Sequence, residues 1–157
     1  MAEAIEVSEL NRQVIDRFRV NSGVVRGSVA VKFEGGKVVL DFENSNLALV
    51  HHVGAKSGRR YITPVECLET GGRIFIFASF GGSEKNPSWY YNLRAHPDIE
   101  IELGEEKFAA VATEITGKER DDIYDEQVVR MPVFGDYQRR TERLIPVIEI
   151  LRSDDSL

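Results

Sequence analysis

Asn46-Leu47-Ala48-Leu49-Val50-His51-His52-Val53, Gly54-Ala55-Lys56-Ser57-Gly58-Arg59-Arg60 and Tyr61-Ile62-Thr63-Pro64-Val65-Glu66-Cys67-Leu68 follow one another without a break, two β-rich runs joined by a basic loop. The flanking runs are rich in β-branched and aromatic residues and too short for buried helices, so they predict strands. Between them, seven residues hold three cations, two glycines and a hydroxyl. Glycines let backbone amides converge on an anion, and Lys and Arg supply charge and forked donors. The loop therefore predicts an anion seat; an inert, solvated basic turn has the same composition. It is not a Walker A loop, which needs Gly-Lys-Ser/Thr opening a helix, whereas a strand follows here.

Outward from this stretch the strand pattern continues. Upstream lie Val25 to Phe33, the turn Glu34-Gly35-Gly36 and Lys37 to Phe42. Downstream, Gly71-Gly72 closes a hairpin between Tyr61–Leu68 and Arg73–Phe80, and a second hairpin around Gly104 joins Ile99–Leu103 to Lys107–Ile115. Pro146 to Leu151 reads as a last strand. Successive short strands without intervening helices predict a closed or half-closed antiparallel barrel. Helices flank it: Ser8 to about Arg19, with Leu10, Asn11, Val14, Ile15 and Phe18 on one stripe; Pro87 to about Ala95, ended by Pro97; Thr116 to about Arg130, with Thr116 and Glu119 as a capping box; and Gly135 to Arg143. The class is α+β. The apolar stripe of the first helix predicts packing on the core, with a membrane surface or a partner as alternatives.

A chain of 157 residues fits one domain, residues 1–157, with 1–23 as an N-terminal helical segment and 153–157 as a flexible tail. The net charge of −6 excludes a general nucleic-acid binder, and no apolar run is long enough to span a bilayer. The start lacks a signal-peptide pattern, so a cytoplasmic protein is expected. The single cysteine, Cys67, excludes an internal disulfide and a Cys-rich metal site. His51 and His52 are adjacent on one strand and point to opposite faces, so they do not chelate a metal together; no metal site is expected. Neither a nucleophile elbow nor a GxGxxG fingerprint is present.

A second constellation, Ala78-Ser79-Phe80-Gly81-Gly82-Ser83 running on to Trp89-Tyr90-Tyr91-Asn92, leads from a strand end through a glycine loop into an aromatic helix. Such junctions bring backbone close to ligands. The aromatics serve equally as core packing.

Together with Asn11 to Gly23, Gly54 to Pro64 and Asp136-Tyr137-Gln138-Arg139-Arg140-Thr141 followed by Ile145-Pro146-Val147, this constellation resembles the deazaflavin-dependent nitroreductase family, split-β-barrel proteins that use coenzyme F420. The four pieces occur in the same order and span most of the chain. The resemblance implies hydride transfer from reduced deazaflavin to an activated C=C bond of an enone or quinone, or to a nitro group. It implies that Gly54, Lys56, Ser57, Gly58, Arg59 and Arg60 hold the anionic tail and phosphate, the loop amides taking the phosphate. The ring would lie near Thr63, Pro64, Ala78, Ser79 and Trp89. Tyr137 would give a hydrogen bond or proton to the substrate, Ser79 would orient it, and Met131, Phe134 and Tyr137 would line its pocket.

Departures from the pattern are specific. The best-studied nitroreductase of the family has tyrosines where Met131 and Phe134 stand; a lysine often takes the place of Phe80; threonines are usual at His51 and His52; and Val29 to Ser45 is a longer link than the family's. FMN is the second choice of cofactor. An FMN- or haem-binding split-barrel protein, and a non-catalytic protein holding deazaflavin or an apolar ligand, share these motifs. Monomer and homodimer both fit the sequence.

Overall fold

A computed structural model describes residues 3–153. In chain order its elements are α1 (Val7–Val20), β1 (Ser28–Phe33), β2 (Gly36–Asp41), β3 (Leu47–Val53), β4 (Arg60–Thr70), β5 (Arg73–Phe77), α2 (Ser88–Ala95), β6 (Asp98–Leu103), β7 (Glu106–Ile115), α3 (Gly117–Arg130), α4 (Val133–Arg139) and β8 (Val147–Arg152). Strands β3-β4-β5-β8-β7-β6 close into an antiparallel barrel, the ring completed where Ala48 to His51 pair with Leu103 to Glu100. The fold is the closed antiparallel barrel that the strand pattern predicts, and the α+β split barrel that the resemblance implies.

Strands β3 and β5 bury both faces while β6 alternates buried residues with exposed or half-buried ones, and the two-residue period sorts their side chains. Ala48 and Val50 of β3, Val65 and Cys67 of β4, and Ile74 and Ile76 of β5 fill the interior with Ile101, Ile148 and Trp89. Phe75, Phe77 and Val147 turn outward, under Ile123 and Tyr124 of α3 and Phe134 of α4. Leu47 and Leu49 turn outward on the other side, under Leu10, Val14 and Phe18 of α1. All three α1 residues are buried, worth roughly 1.5–3 kcal/mol each. The apolar stripe of α1 is therefore committed to the core. No helix among the described residues is long and apolar enough to cross a membrane.

Several boundaries differ from the sequence expectation for physical reasons. Strands β1 and β2 pair only with each other, Ser28 with Asp41 through Phe33 with Gly36, and form a hairpin outside the barrel. Ile5, ahead of α1, bridges to Val31 and fastens the middle of β1. Strand β5 stops at Phe77 because Phe80 and Gly81 take left-handed backbones, φ +45° and +62°, in a 3-10 turn. Thr116 makes no side-chain capping bond; Glu119, its expected partner in the box, lies 3.5 Å from Arg73 instead. Helix α4 begins after Pro132, whose fixed φ suits a helix start, and ends at Arg139 rather than Arg143. Of the tail expected at 153–157, residues 154–157 lie outside the described residues, and the Ser153 amide is bonded to the Ala109 carbonyl at 2.9 Å.

At one end of the interior sits a buried imidazole. His52 packs parallel to Tyr61, ring centroids 5.5 Å apart. The Asn92 side-chain amide donates to His52 Nδ1 at 3.0 Å, so Nε2 carries the proton and donates to Thr63 Oγ1 at 2.9 Å. Burial, with a smaller contribution from His51, depresses its pKa from 6.5 to about 4. Above 6.5 neither folded nor unfolded chain is protonated here, and nothing is lost. As the pH falls from 6.5 to about 4 the unfolded chain takes up the proton first, which costs the native state about 3 kcal/mol in all. Urea denaturation of wild type and His52→Gln should show a stability difference that shrinks by that order across this window. A difference independent of pH would mean that His52 is not held neutral.

Candidate functional site

The basic loop joins β3 to β4 at one end of the barrel. Its backbone is largely self-satisfied: Gly54 N–H donates to Arg59 O at 2.8 Å, Gly58 N–H to Gly54 O at 3.1 Å, and Arg59 N–H to Ser57 Oγ at 3.1 Å. Ala55 N–H donates to Asn92 Oδ1 at 2.9 Å. The same amide that fixes the His52 tautomer thus anchors the loop to α2. Only the amides of Lys56 and Ser57 within the loop have no acceptor among the described residues, which narrows the expectation that the loop amides as a group face a phosphate. The side chains of Lys56, Arg59 and Arg60 are exposed, and none has a carboxylate within 4.0 Å among the described residues. Arg19, Arg73 and Arg130, by contrast, each pair with a glutamate. An acidic chain that leaves three neighbouring cations uncompensated has the donor set for a polyanion.

The glycine loop after β5 is held by a residue that sequence reasoning passed over. Arg143 donates through Nε to Ser83 O at 2.8 Å, through Nη1 to Ala78 O at 3.2 Å and Asn86 Oδ1 at 2.8 Å, and through Nη2 to Ser79 O at 2.8 Å. All four acceptors are neutral, and burial lowers its pKa. In the sequence it is one more basic residue after Arg139 and Arg140, and no local spacing announces a contact sixty residues away.

This loop meets Tyr137 directly. Gly82 has φ +80°, and a Cβ there would fall 2.7 Å from the Tyr137 carbonyl oxygen, so no larger residue fits. The Tyr137 ring lies edge-on to Phe134, centroids 5.1 Å apart, with the Arg140 guanidinium 5.7 Å from its own centroid. Burial raises the phenol's pKa against the opposing pull of Arg140, which keeps it protonated and able to donate.

Pro64, Met131, Phe134 and Tyr137 line one cavity of about 490 Å³, walled also by α1 and the β1–β2 hairpin. Its polar edge is an ion pair absent from the sequence reading. Arg130 Nη2 donates to Glu66 Oε2 at 3.1 Å and to Cys67 O at 3.2 Å, and Nη1 donates to Asn44 O at 3.0 Å. Burial raises the Glu66 pKa, opposed by donors from Ser45, Asn46 and Arg130. Burial also pushes the Cys67 thiol up to about 12, so it is packing and not a nucleophile.

Other expected site residues lie elsewhere. Ala78 and Trp89 are buried in the barrel interior, and Thr63 faces that interior with its hydroxyl on His52. Ser79 is half-buried on the Arg143-bound loop. Lys56, Arg59 and Arg60 do not line the cavity. Alternation nevertheless puts Arg60, Ile62, Pro64 and Glu66 on one face of β4, with Arg60 about 13 Å from Pro64 along the strand. Arg60, where the basic loop enters β4, and the cavity share that face.

A profile of the family described as F420H(2)-dependent quinone reductase matches residues 25–151. A Mycobacterium tuberculosis protein named F420H(2)-dependent quinone reductase is 35% identical over 107 residues, 66% of this chain and 72% of that protein. A solved F420-H2 dependent reductase, FDR-A, superposes with a TM-score of 0.62 at 35% identity, covering 67% of this chain and 93% of its own. A solved structure described as a domain-swapped dimer superposes with a TM-score of 0.63 at 28% identity, covering 91% and 98%. With the barrel, the basic loop and the phenol-bearing cavity in place, these matches establish that the chain belongs to the F420H(2)-dependent quinone reductase family, oxidoreductases whose cofactor is coenzyme F420.

Proposed function

We infer that this chain is a single-domain reductase that delivers a hydride from reduced coenzyme F420 to an activated C=C bond of a quinone or enone in the cavity beside Tyr137. The observation that carries the reading is the placement, at one end of β4, of three cations with no carboxylate partner among the described residues, Arg60 sharing a strand face with a mainly apolar cavity whose wall holds a protonated phenol. The reduced coenzyme is a two-electron donor.

The chain's own residues divide the remaining work. Lys56, Arg59 and Arg60, with the Lys56 and Ser57 amides, take the anionic phosphate and glutamate tail. Pro64, which has no amide hydrogen to desolvate, forms part of the cavity floor. Tyr137 donates its hydroxyl hydrogen to the substrate oxygen on which negative charge develops. Ser79, on a loop immobilised by Arg143, orients the same oxygen. Met131 and Phe134 contribute no hydroxyl, which favours quinones and enones over nitro compounds. The 28%-identical domain-swapped dimer supports assembly as a homodimer.

The cofactor assignment requires tighter binding of coenzyme F420 than of FMN in a fluorescence titration; equal affinities would exclude it. Replacing Lys56 and Arg60 together by alanine removes two charge-assisted contacts, so the dissociation constant should rise about tenfold or more. Its dependence on salt should flatten as well. An unchanged constant would return the loop to an inert turn. Tyr137→Phe keeps the ring and removes the donor: turnover of cyclohexenone or menadione should fall about 100-fold with coenzyme affinity intact. Wild-type turnover in that variant would exclude the phenol as proton source.

A further inference from the structure

The β1–β2 hairpin stands outside the barrel, yet its turn is fastened to the glycine loop of the site. Phe33 meets Phe80 edge-on, with centroids 5.2 Å apart and planes at 84°. Ser83 Oγ donates to Glu34 Oε2 at 3.2 Å. A Cβ on Gly81 would lie 3.3 Å from the Phe33 ring, so that ring sits close against the Gly81 backbone. Both sides of this contact hold non-glycine residues in left-handed conformations, Glu34 at φ +50° and Phe80 at φ +45°. Such backbones persist only where their surroundings over-determine them, and they cluster at functional sites. From the turn, β2 runs back along the cavity. Val39 and Leu40 line it together with Leu10 and Val14 of α1 and with Met131 and Phe134. Glu66 and Arg130 form an ion pair at one edge, with Asn11, Asp41, Asn44 and Ser45 as further polar lining.

We propose that the hairpin is a specificity wall: the Phe33–Phe80 and Glu34–Ser83 contacts fix it against the glycine loop, and Val39 and Leu40 select substrates whose reducible ring carries an apolar substituent. The proposal rests on the quinone or enone reading for the identity of that ring, and on the hairpin geometry for the selection. A wall built from one hairpin works only while it is held in place. The middle of β1 is fastened through Ile5 and the tip of the hairpin through Phe33. Releasing the tip removes apolar contact from the substituent and leaves the head group's contacts with Tyr137 in place.

The test is a calorimetric comparison, without coenzyme, of menadione and a naphthoquinone carrying one prenyl unit. Wild type should bind the prenylated ring about tenfold more tightly, since part of a five-carbon substituent is buried. Phe33→Ala should reduce that preference to within about twofold, with the menadione constant little changed. Val39→Ser, at an exposed position that tolerates a polar side chain, should reduce it about threefold and carries the test alone if Phe33→Ala does not fold. Absence of preference in wild type, or its survival in the folded variants, overturns the proposal. Preference without turnover by the reduced coenzyme would leave the wall standing and refute the proposed function. Turnover without preference would do the reverse.

Discussion

The alternation of side chains along β4 is the constraint on which the site depends. One face of the strand belongs to the barrel interior, so Thr63, Val65 and Cys67 are committed to packing and to His52. The other face, Arg60, Ile62, Pro64 and Glu66, is left for the groove. A slip of one residue in the β3–β4 register would exchange the two sets and destroy core and site together. The register is over-determined: seven paired positions from Leu47–Glu66 to Val53–Arg60, both faces of β3 buried, and a loop closed by its own hydrogen bonds. Placement of the basic loop is thus a consequence of core packing. His52 and Asn92 complete the link, because the amide that satisfies a buried imidazole also holds the Ala55 backbone.

Much of this was legible in the sequence because its signals are local. The period-two runs, the Gly71-Gly72 turn and the 3.6-residue stripe of α1 each state their structure within a dozen residues. What was not legible involves partners distant in sequence. Arg143, Arg130 and Glu66 read as ordinary surface charge, yet each is half-buried and bonded across the fold. The capping box failed for a related reason. Glu119 matches the local pattern, but the structure brings Arg73 close to it from another element. The resemblance names Thr63 and Pro64 together, and strand geometry puts their side chains on opposite faces, Thr63 on His52 and Pro64 in the cavity wall.

The hairpin shows how a departure from a family pattern acquires a physical account. The long link between α1 and β3 folds as β1 and β2, and Phe80, where a lysine is often found, packs against Phe33 at its tip. A lysine there would present a strongly hydrated charge to an aromatic edge. The two departures therefore belong together: one supplies the additional wall and the other a surface on which it can rest. The strain at Glu34 and Phe80 is local and is offset by an aromatic contact and a hydrogen bond.

Charge is distributed in the same economical way. The chain carries a net charge of −6, which repels anions at long range, while Lys56, Arg59 and Arg60 between β3 and β4 have no carboxylate partner among the described residues. A ligand with several linked negative groups gains from all three at once; a single anion gains from one and still meets the repulsive field. The cavity follows the opposite rule. Its ion pair is satisfied internally by Asn46, Asn44 and Cys67 backbone groups, and most of the remaining lining is apolar, with Asn11, Asp41 and Ser45 as the polar exceptions. Burial keeps Tyr137 protonated in that setting. One face of one strand thereby carries an exposed cation, Arg60, at one end and a mainly apolar cavity at the other. The two ends differ in solvent exposure, because the same barrel surface is wet at Arg60 and roofed by the hairpin and α1 at Pro64.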